Sequence, residues 1–150
     1  MLVLNTIFSG GESSRLQSIV KKQKNLIVRG NSVFVPLNDL GVFEGISVIE
    51  PEKAGQAKAE LILQLNKFKT EQVTDEELER AKTLIKADRV KSQEEIFQVG
   101  FNIGQAWIEG NIEDYPKFLS RINAVTKEDV KRVANKYFTA YTMYELRPKL

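Results

Sequence analysis

The 150 residues of this chain are enough for one domain, or at most two small ones. The composition, 42% hydrophobic and 28% charged, is that of an ordinary globular protein, and it excludes the disordered, collagen-like and membrane-spanning classes. A net charge of +2 from 22 basic and 20 acidic groups gives no strong field of the kind that nucleic-acid-binding surfaces use.

Two residue types are absent from the chain, and their absence narrows the chemistry further. Without cysteine there are no disulfides, thiolate zinc sites, iron–sulfur clusters or thiol nucleophiles. Without histidine there are no Ser-His-Asp triads and no imidazole metal ligands, and the usual general base near neutral pH is missing. We therefore expect that this chain binds no metal ion and is not an enzyme on its own.

The N-terminal part of the chain predicts two short helices. Apolar side chains at positions 2, 4, 7 and 8 share one helical face, and Gly10-Gly11 ends that helix. The same Gly-Gly turn could bind an anion, but a helix C-terminus followed by a new N-cap explains it better. Ser13 or Ser14 can cap a second helix that runs to about Lys22. Three residues of this second helix are expected to face inward: Leu16, Ile19 and Val20.

A β-hairpin is predicted next. Residues 26–35 and 42–49 are rich in β-branched and aromatic side chains, which is typical of strands. Residues 36–41 contain proline, asparagine, aspartate and glycine, and predict the turn between the two strands. Pro51 ends the second strand.

Long helices follow the hairpin. Apolar residues at spacings of three and four predict a helix over 52–69, with five residues on its inner face: Ala54, Ala57, Leu61, Leu65 and Phe68. Thr74 and Glu77 have the spacing of a capping box, which predicts the start of a helix that runs to about Lys91. The acidic residues in its first turn resemble a metal site, but they are explained by the helix dipole.

A capping box at 92–95 predicts a new helix, or a bend, which Gly110-Asn111 closes. Its aromatic side chains Phe97, Phe101 and Trp107, together with Tyr115 and Phe118, are expected in the core, with a chamber wall as the alternative. Gly100 and Gly104 lie four residues apart, and we expect close packing of this helix against the sheet to account for them.

The last third of the chain predicts two more helices and a strand. A short helix covers about 113–123, and Pro116 is tolerated in its first turn. The sequence at 125–130 repeats the cap-and-staple pattern and starts a helix with four inward residues: Val130, Val133, Ala134 and Tyr137. Residues 139–146 predict a final strand. The separation of strands from helices indicates an α+β fold with antiparallel pairing and helices on one face of the sheet.

Four segments in this order resemble the M16 zinc peptidases, the family of insulinase, pitrilysin and the mitochondrial processing peptidase. They are LNTIFSGGESSRL at 4–16, VTDEELERAK at 73–82, the helix that contains Gly100 and Gly104, and VTKEDVKRVA at 125–134. The resemblance covers almost the whole chain. It implies a peptidase repeat of the LuxS/MPP-like α+β fold. Complete M16 proteins are built from similar repeats of this kind, which clamp around a chamber.

The resemblance also implies which half of the protease this is. The active M16 repeat carries His-x-x-Glu-His, and a chain without histidine cannot supply it. The chain looks like the C-terminal, inactive half, which closes the chamber and helps to hold an unfolded peptide. Zinc is expected on a catalytic partner domain, in the same chain or in a separate subunit, and no cofactor is expected here.

The resemblance predicts a substrate-contacting pair in this half. Active family members often place an Arg and a Tyr after the Gly-rich turn, where they reach the substrate carbonyl or the oxyanion. These positions fall on Lys21 and Val28. Lysine keeps the positive charge of arginine but lacks its planar guanidinium group, and valine lacks the hydroxyl of tyrosine. The pair is therefore a degenerate version of the family's Arg and Tyr. The outer face of the hairpin, around 26–35 and 42–49, is expected to line the chamber.

Residues 1–150 are expected to be a single domain and a fragment of a longer chain that lacks the first strand of the repeat. The strand edge left open could bind peptide or pair with a second copy in a homo-oligomer. Contacts with nucleic acid or insertion into a membrane are not expected.

Other functions remain open at this stage. A purely structural subunit, like the core proteins of the bc1 complex, is the main alternative. A small binding module could use the basic cluster of Lys21, Lys22, Lys24 and Arg29, although a solvated face explains that cluster better. A hydrolase pair of Ser13 or Ser14 with Lys21 is a further alternative, although nothing in the sequence marks either serine as strained or buried.

Overall fold

A computed structural model describes residues 1–37, 40–108, 110 and 112–147. Its two strands form an antiparallel hairpin, β1 (Arg29–Pro36) and β2 (Gly41–Val48). The helices are α1 (Leu2–Ser9), α2 (Ala54–Thr70), α3 (Asp75–Ser92), α4 (Ile96–Ile108), α5 (Phe118–Ala124) and α6 (Lys127–Tyr137). Three further turns are a π-helix at Leu16–Gln23 and 3₁₀ segments at Pro51–Lys53 and Ile112–Lys117. The α+β prediction is confirmed.

The Gly-Gly turn after α1 is required by the backbone. The N–H of Gly10 donates to the carbonyl of Thr6, and a Cβ at Gly10 would lie 2.6 Å from that oxygen. Gly11 has a φ of +74°, in the left-handed region that favours glycine. Ser14 Oγ then accepts a long hydrogen bond of 3.4 Å from the N–H of Gln17. The turn therefore ends one helix and begins the next, as the sequence predicts.

The hairpin has one covered face and one open face. Its register pairs Val33 with Glu44 and Val35 with Val42, and successive side chains point to opposite faces. On the covered face, the ring of Phe43 lies 6.2 Å from that of Phe8 and 5.1 Å from that of Phe138. The helices therefore pack on one side of the sheet. In the turn between the strands, the N–H of Leu37 donates to the carbonyl of Leu40. Positions 38 and 39 lie outside the described residues.

Local capping chemistry starts two of the helices. The hydroxyl of Thr74 accepts from the N–H of Glu77, whose carboxylate accepts in return from the N–H of Thr74. Thr126 and Asp129 make the same reciprocal pair at the start of α6. Both starts were predicted, because a capping box depends only on residues three positions apart.

The core lies where α1, the π-helix, α2, α3 and α6 meet. Contacts of α1 with α3 and of α2 with α6 connect these elements. Seventeen buried apolar residues form it: Val3, Leu4, Ile7, Phe8, Leu16, Val20, Leu26, Ile27, Ala57, Phe68, Val73, Leu78, Ala81, Ile85, Ile122, Val130 and Ala134. Within the described ranges no helix is both long and apolar enough to cross a bilayer.

Two predictions about the C-terminal segment are wrong. A strand is predicted at 139–146, but within the described chain residues 140–147 pair with neither β1 nor β2. A strand needs a partner for its backbone groups, and the pattern alone does not supply one. The ion pair of Lys58 with Glu145 holds this segment against α2. Tyr137, expected to face inward, is 54% exposed at the end of α6.

The predictions for α4 are also wrong in part. A helix does begin after residue 95, but Ser92 belongs to α3, and its hydroxyl donates to the carbonyl of Arg89. Phe97, Phe101 and Trp107 are exposed rather than in the core, although Tyr115 and Phe118 are partly buried. A Cβ at Gly100 or Gly104 would meet nothing within 4 Å, so close packing does not explain these glycines.

The end of α4 is described only in part. The N–H of Gly110 donates to the carbonyl of Trp107, and Gly110 has a φ of +69°. Asn111, predicted to close this helix together with Gly110, lies outside the described residues. The short helix expected over 113–123 is a 3₁₀ segment that contains Pro116 and is followed by α5.

Candidate functional site

The predicted pair, Lys21 and Val28, lies at the connection between the π-helix and the hairpin. Asn25 makes the turn between them with a φ of +52°, a conformation that asparagine tolerates better than most residues. Its N–H donates to the carbonyl of Lys21 at 3.0 Å, and the N–H of Leu26 donates to that of Val20 at 3.0 Å. The turn therefore redirects the chain from the last turn of the π-helix into the sheet.

Val28 is positioned by the sheet itself. Its N–H donates to the carbonyl of Val48 at 2.9 Å, so it extends the ladder one residue before β1. Its side chain is 52% exposed and offers no hydrogen-bond donor. The structure places the valine at the end of the hairpin, where the resemblance expects a tyrosine.

Lys21 is half-buried in the last turn of the π-helix. The pKa of the Glu12 carboxyl is lowered mainly by the hydrogen bond and charge of Lys22, and the charge of Lys21 adds a smaller lowering. In the described part of the chain no hydrogen bond or ion pair occupies the ammonium group of Lys21. The charge of Lys21 is therefore available to a bound molecule.

The open face of the hairpin is apolar, and we call it the hairpin face. Val33, Val35, Val42, Ile46 and Val48 are each between 41% and 64% exposed. Arg29 and Glu44 are the charged side chains that share this face. Such a strip of β-branched residues on a two-stranded sheet can hold an extended peptide through side-chain contacts and strand addition.

A buried polar network fixes the covered side of β1. Ser9 Oγ and Ser32 Oγ lie 2.6 Å apart, and Ser32 Oγ donates to Asn5 Oδ1 at 2.6 Å. The N–H of Ser32 also donates to Ser9 Oγ at 3.1 Å. Gln17 of the π-helix donates to the carbonyl of Gly30 at 3.0 Å. These directional bonds hold the hairpin at a defined angle on α1 and the π-helix.

The other members of the basic cluster are partly occupied. Lys22 pairs with Glu12 at 2.8 Å, and Lys24 pairs with Glu60 at 2.6 Å. Burial raises the pKa of the Glu60 carboxyl, but hydrogen bonds from Lys24 and Gln64 and the nearby positive charge outweigh it and lower the pKa. The Lys24–Glu60 pair borders an open cleft of about 490 Å³ beside Leu26 and Leu63. The basic cluster is therefore a solvated face in which Lys22 and Lys24 form ion pairs within the chain.

The donor set does not fit a zinc ion. The chain contains no imidazole or thiol group, and the described residues hold no cluster of three or more carboxylates that could replace them. Two acidic side chains in the first turn of α3 form ion pairs, Glu77 with Arg15 and Asp75 with Lys127. The serine–lysine alternative gains no support either, since Ser14 is fully buried and its Oγ accepts the N–H of Gln17.

Comparison with known families decides the classification. The model of the peptidase M16 inactive domain matches residues 1–85 of the chain, which is more than half of it. The chain belongs to the M16 peptidase family.

Several proteins similar to this M16 inactive domain carry the name zinc protease. A zinc protease of Rickettsia felis is 28% identical over 141 residues, which cover 93% of this chain and 34% of that protein. A protease from Helicobacter pylori superposes with a TM-score of 0.85 at 27% identity, over 92% of this chain and 34% of the other. The chain thus spans about a third of the length of these relatives.

A further solved structure matches the M16 inactive domain over nearly its whole length. It is an inactive peptidase domain from Bordetella parapertussis, with a TM-score of 0.79 at 19% identity, and it covers 99% of this chain and 83% of that one. At this identity the match demonstrates the fold alone. The predicted family is confirmed, and so is the inactive type of domain.

Sequence reasoning missed one contact that organises the site. Arg15 donates from Nε and Nη2 to both oxygens of Glu77, at 2.6 and 2.9 Å. Both residues stand in the motifs that carry the resemblance, yet nothing in either motif shows that they touch. The guanidinium also lies 4.2 Å from the centroid of the Phe68 ring. The pair fixes the start of the π-helix, and with it Lys21, against α3.

Proposed function

We propose that this M16 inactive domain closes the chamber of a zinc protease and that its hairpin face contacts unfolded peptide substrate. Hydrolysis by zinc-activated water would take place on a catalytic domain that carries His-x-x-Glu-His, in the same polypeptide or in another subunit. This chain would contribute binding and positioning of the peptide.

The observation that carries the proposal is the asymmetry of the hairpin. One face is covered by helices and fixed by the Ser9–Ser32 network. The other face presents five half-exposed aliphatic residues with little charge, as an extended peptide of variable sequence requires. Main-chain hydrogen bonds would bind such a peptide regardless of its side chains, and the aliphatic strip would contact every second residue.

One observation favours a second candidate, a structural subunit that only completes an assembly. Lys21 retains a charge, but Val28 has no donor for a developing oxyanion. A domain that has lost this donor could still fold, pair with a partner and serve assembly. The same fold serves both roles in this family, so the two candidates differ in peptide contact and not in architecture.

The test is reconstitution. The chain is mixed with a purified M16 domain that carries His-x-x-Glu-His and comes from the same genome, and cleavage of an unfolded peptide is followed. Cleavage that requires both components supports the chamber role. A stable complex without cleavage supports the structural role and contradicts the chamber role.

The hairpin face is tested in the same assay. The variant Val33→Ser/Ile46→Ser removes two exposed apolar side chains from this face. We expect KM for the peptide to rise about tenfold while the affinity between the domains stays unchanged, because only the substrate loses apolar contact. The control Leu63→Ser/Val90→Ser changes two aliphatic residues of similar exposure on α2 and α3. An equal rise in KM for both variants would contradict the proposal.

A further inference from the structure

Two arginine side chains lie beside one carboxylate near the Gly-Gly turn. Arg15, only 7% exposed, binds Glu77 through Nε and Nη2. Arg80 follows Glu77 by one turn of α3 and is partly buried. Its Nη1 donates to the carbonyl of Ser13, two residues before Arg15. Both guanidinium groups therefore lie where the segment before the π-helix meets the first turns of α3.

Three nitrogen atoms of these guanidinium groups are buried and find no acceptor among the described residues: Arg15 Nη1, Arg80 Nε and Arg80 Nη2. Buried donors without an acceptor are rare in folded proteins, because each has given up its hydrogen bond to bulk water. Such donors therefore indicate a bound group that accepts hydrogen bonds.

The two atoms of Arg80 form one complete edge of its guanidinium group. Arg15 uses the same edge, Nε together with Nη2, to hold both oxygens of the Glu77 carboxylate. An edge of this kind fits two oxygens of a carboxylate or of a phosphate group. Arg80 therefore presents, next to the Arg15–Glu77 pair, a second edge of the shape that binds an oxyanion.

The charge balance around the two arginines is positive. Two guanidinium groups lie beside one carboxylate, and the charges of both Arg15 and Arg80 lower the pKa of Glu77. Glu76 is exposed, and the hydrogen bonds of Arg80 do not include it. Three other acidic residues of these segments are paired with lysines: Glu12 with Lys22, Asp75 with Lys127 and Glu79 with Lys82. A group that balances Arg80 therefore carries negative charge.

We propose that Arg15 and Arg80 form a binding site for an oxyanion, a carboxylate or phosphate group, held by the Nε–Nη2 edge of Arg80 and by Nη1 of Arg15. Bound water is the competing explanation for these nitrogens, but water would leave the excess positive charge without a partner. The site uses neither the hairpin face nor Lys21, and it does not rest on the proposed function.

The test uses inorganic phosphate as the probe. Phosphorus NMR of phosphate, titrated with the chain at an ionic strength kept constant with NaCl, measures the dissociation constant. We expect saturable binding to the wild type. Arg80→Gln should weaken it at least about tenfold, because this change removes both the bidentate edge and the excess charge. Since binding is observed directly on the folded chain, a modest loss of stability in a variant does not imitate a loss of binding.

A matched control on the same helix is Arg89→Gln. Arg89 is also partly buried, but its guanidinium lies 4.2 Å from the centroid of the Tyr115 ring. It stands nine residues beyond Arg80, about 14 Å along α3. A charge at that distance is largely screened at physiological salt, so the control should bind phosphate within about threefold of wild type.

A second variant separates the edge from the charge. Arg80→Lys keeps the positive charge but has no planar edge, and we expect its affinity for phosphate to fall between those of wild type and Arg80→Gln. An affinity equal to that of wild type would overturn the bidentate geometry. Absence of saturable binding to the wild type, or equal binding by wild type and Arg80→Gln, would overturn the site and leave water as the partner of these nitrogens.

Competition identifies the source of the oxyanion. A short peptide with a free C-terminal carboxylate is added to the phosphate complex, and the same peptide with a C-terminal amide serves as its control. Displacement of phosphate by the free acid and not by the amide supports a site for peptide carboxylates. Retention of phosphate in the presence of both peptides supports a site for the free inorganic anion.

Discussion

Arg15 and Glu77, 62 positions apart in the sequence, form a bidentate ion pair. Arg15 Nε lies 2.6 Å from Glu77 Oε1, and Arg15 Nη2 lies 2.9 Å from Glu77 Oε2. The same carboxylate accepts the N–H of Thr74 at 3.0 Å, and so it caps α3 while it binds the guanidinium. Burial raises the pKa of the Glu77 carboxyl, but the hydrogen bonds from Arg15 and Thr74 and the charges of Arg15 and Arg80 outweigh it and hold the pKa below its usual value. One side chain thus joins the first two motifs of the family.

The first prediction concerns the loss of this carboxylate. Glu77→Gln leaves the buried guanidinium of Arg15 without its counter-charge and weakens the cap of α3. We expect the free energy of unfolding to fall by about 3 kcal/mol, as when a buried pair loses one member. The measurement is urea unfolding followed by circular dichroism. Glu76→Gln, an exposed neighbour in the same helical turn, should change stability by no more than about 0.5 kcal/mol, and equal losses would refute the role of the pair.

The second prediction concerns pH. The pKa of Glu77 is lower in the folded state than the ~4.3 of an unfolded glutamate, so near pH 4 the unfolded chain binds more protons. The contribution of the pair is complete above that value and is lost as pH falls through the folded pKa. The stability difference between wild type and Glu77→Gln should therefore shrink below about pH 4.3. A difference that stays constant down to acid unfolding would contradict this account.

The third prediction concerns the turn before the hairpin. Asn25 has a φ of +52°, which costs an ordinary side chain about 1–2 kcal/mol. Asn25→Ala should destabilise the domain by about 1 kcal/mol, whereas Asn25→Gly should be neutral or slightly stabilising, because glycine has no Cβ. Thermal unfolding of both variants provides the measurement. If alanine were tolerated as well as glycine, the left-handed turn would not be the constraint.

The fourth prediction rests on the proposed function and concerns the degenerate pair. Lys21→Arg/Val28→Tyr restores the residue types expected at these positions. In the reconstituted reaction we expect kcat to rise at least about tenfold, because a donor to the developing oxyanion acts mainly in the transition state. The control Lys22→Arg/Val90→Tyr makes the same chemical changes at exposed positions outside the hairpin face. An identical rise in the control would show that Lys21 and Val28 are not placed at the substrate.

The features predicted correctly from the sequence are local ones. The capping boxes at Thr74 and Thr126 involve residues three positions apart, and the Gly10-Gly11 turn depends on its own backbone angles. The hairpin strands follow from composition and are offset by one to three residues from the predicted ranges. The role of Lys21 and Val28, which the family resemblance implies, stays a prediction: the structure places Lys21 in the last turn of the π-helix and Val28 one residue before β1.

The features missed depend on distant parts of the chain. An apolar helix such as α4 has the same sequence pattern whether its partner is its own core or another domain. The sequence at 139–146 is compatible with a strand, but a strand forms only where a neighbouring strand is available to pair with it. The local sequence does not show whether such a neighbour exists. The Arg15–Glu77 pair is invisible for the same reason, since a capping glutamate needs no arginine to fulfil its local role.

The ion pair between Lys58 and Glu145 has a consequence for handling the purified protein. Both side chains are about one-third exposed, and such pairs contribute only about 0–1 kcal/mol. The segment at 140–147 is therefore weakly tethered, and it is exposed and without regular secondary structure, which favours proteolytic cleavage. A broad-specificity protease should nick the chain there first, and concentrated salt should speed that nick by releasing the tether.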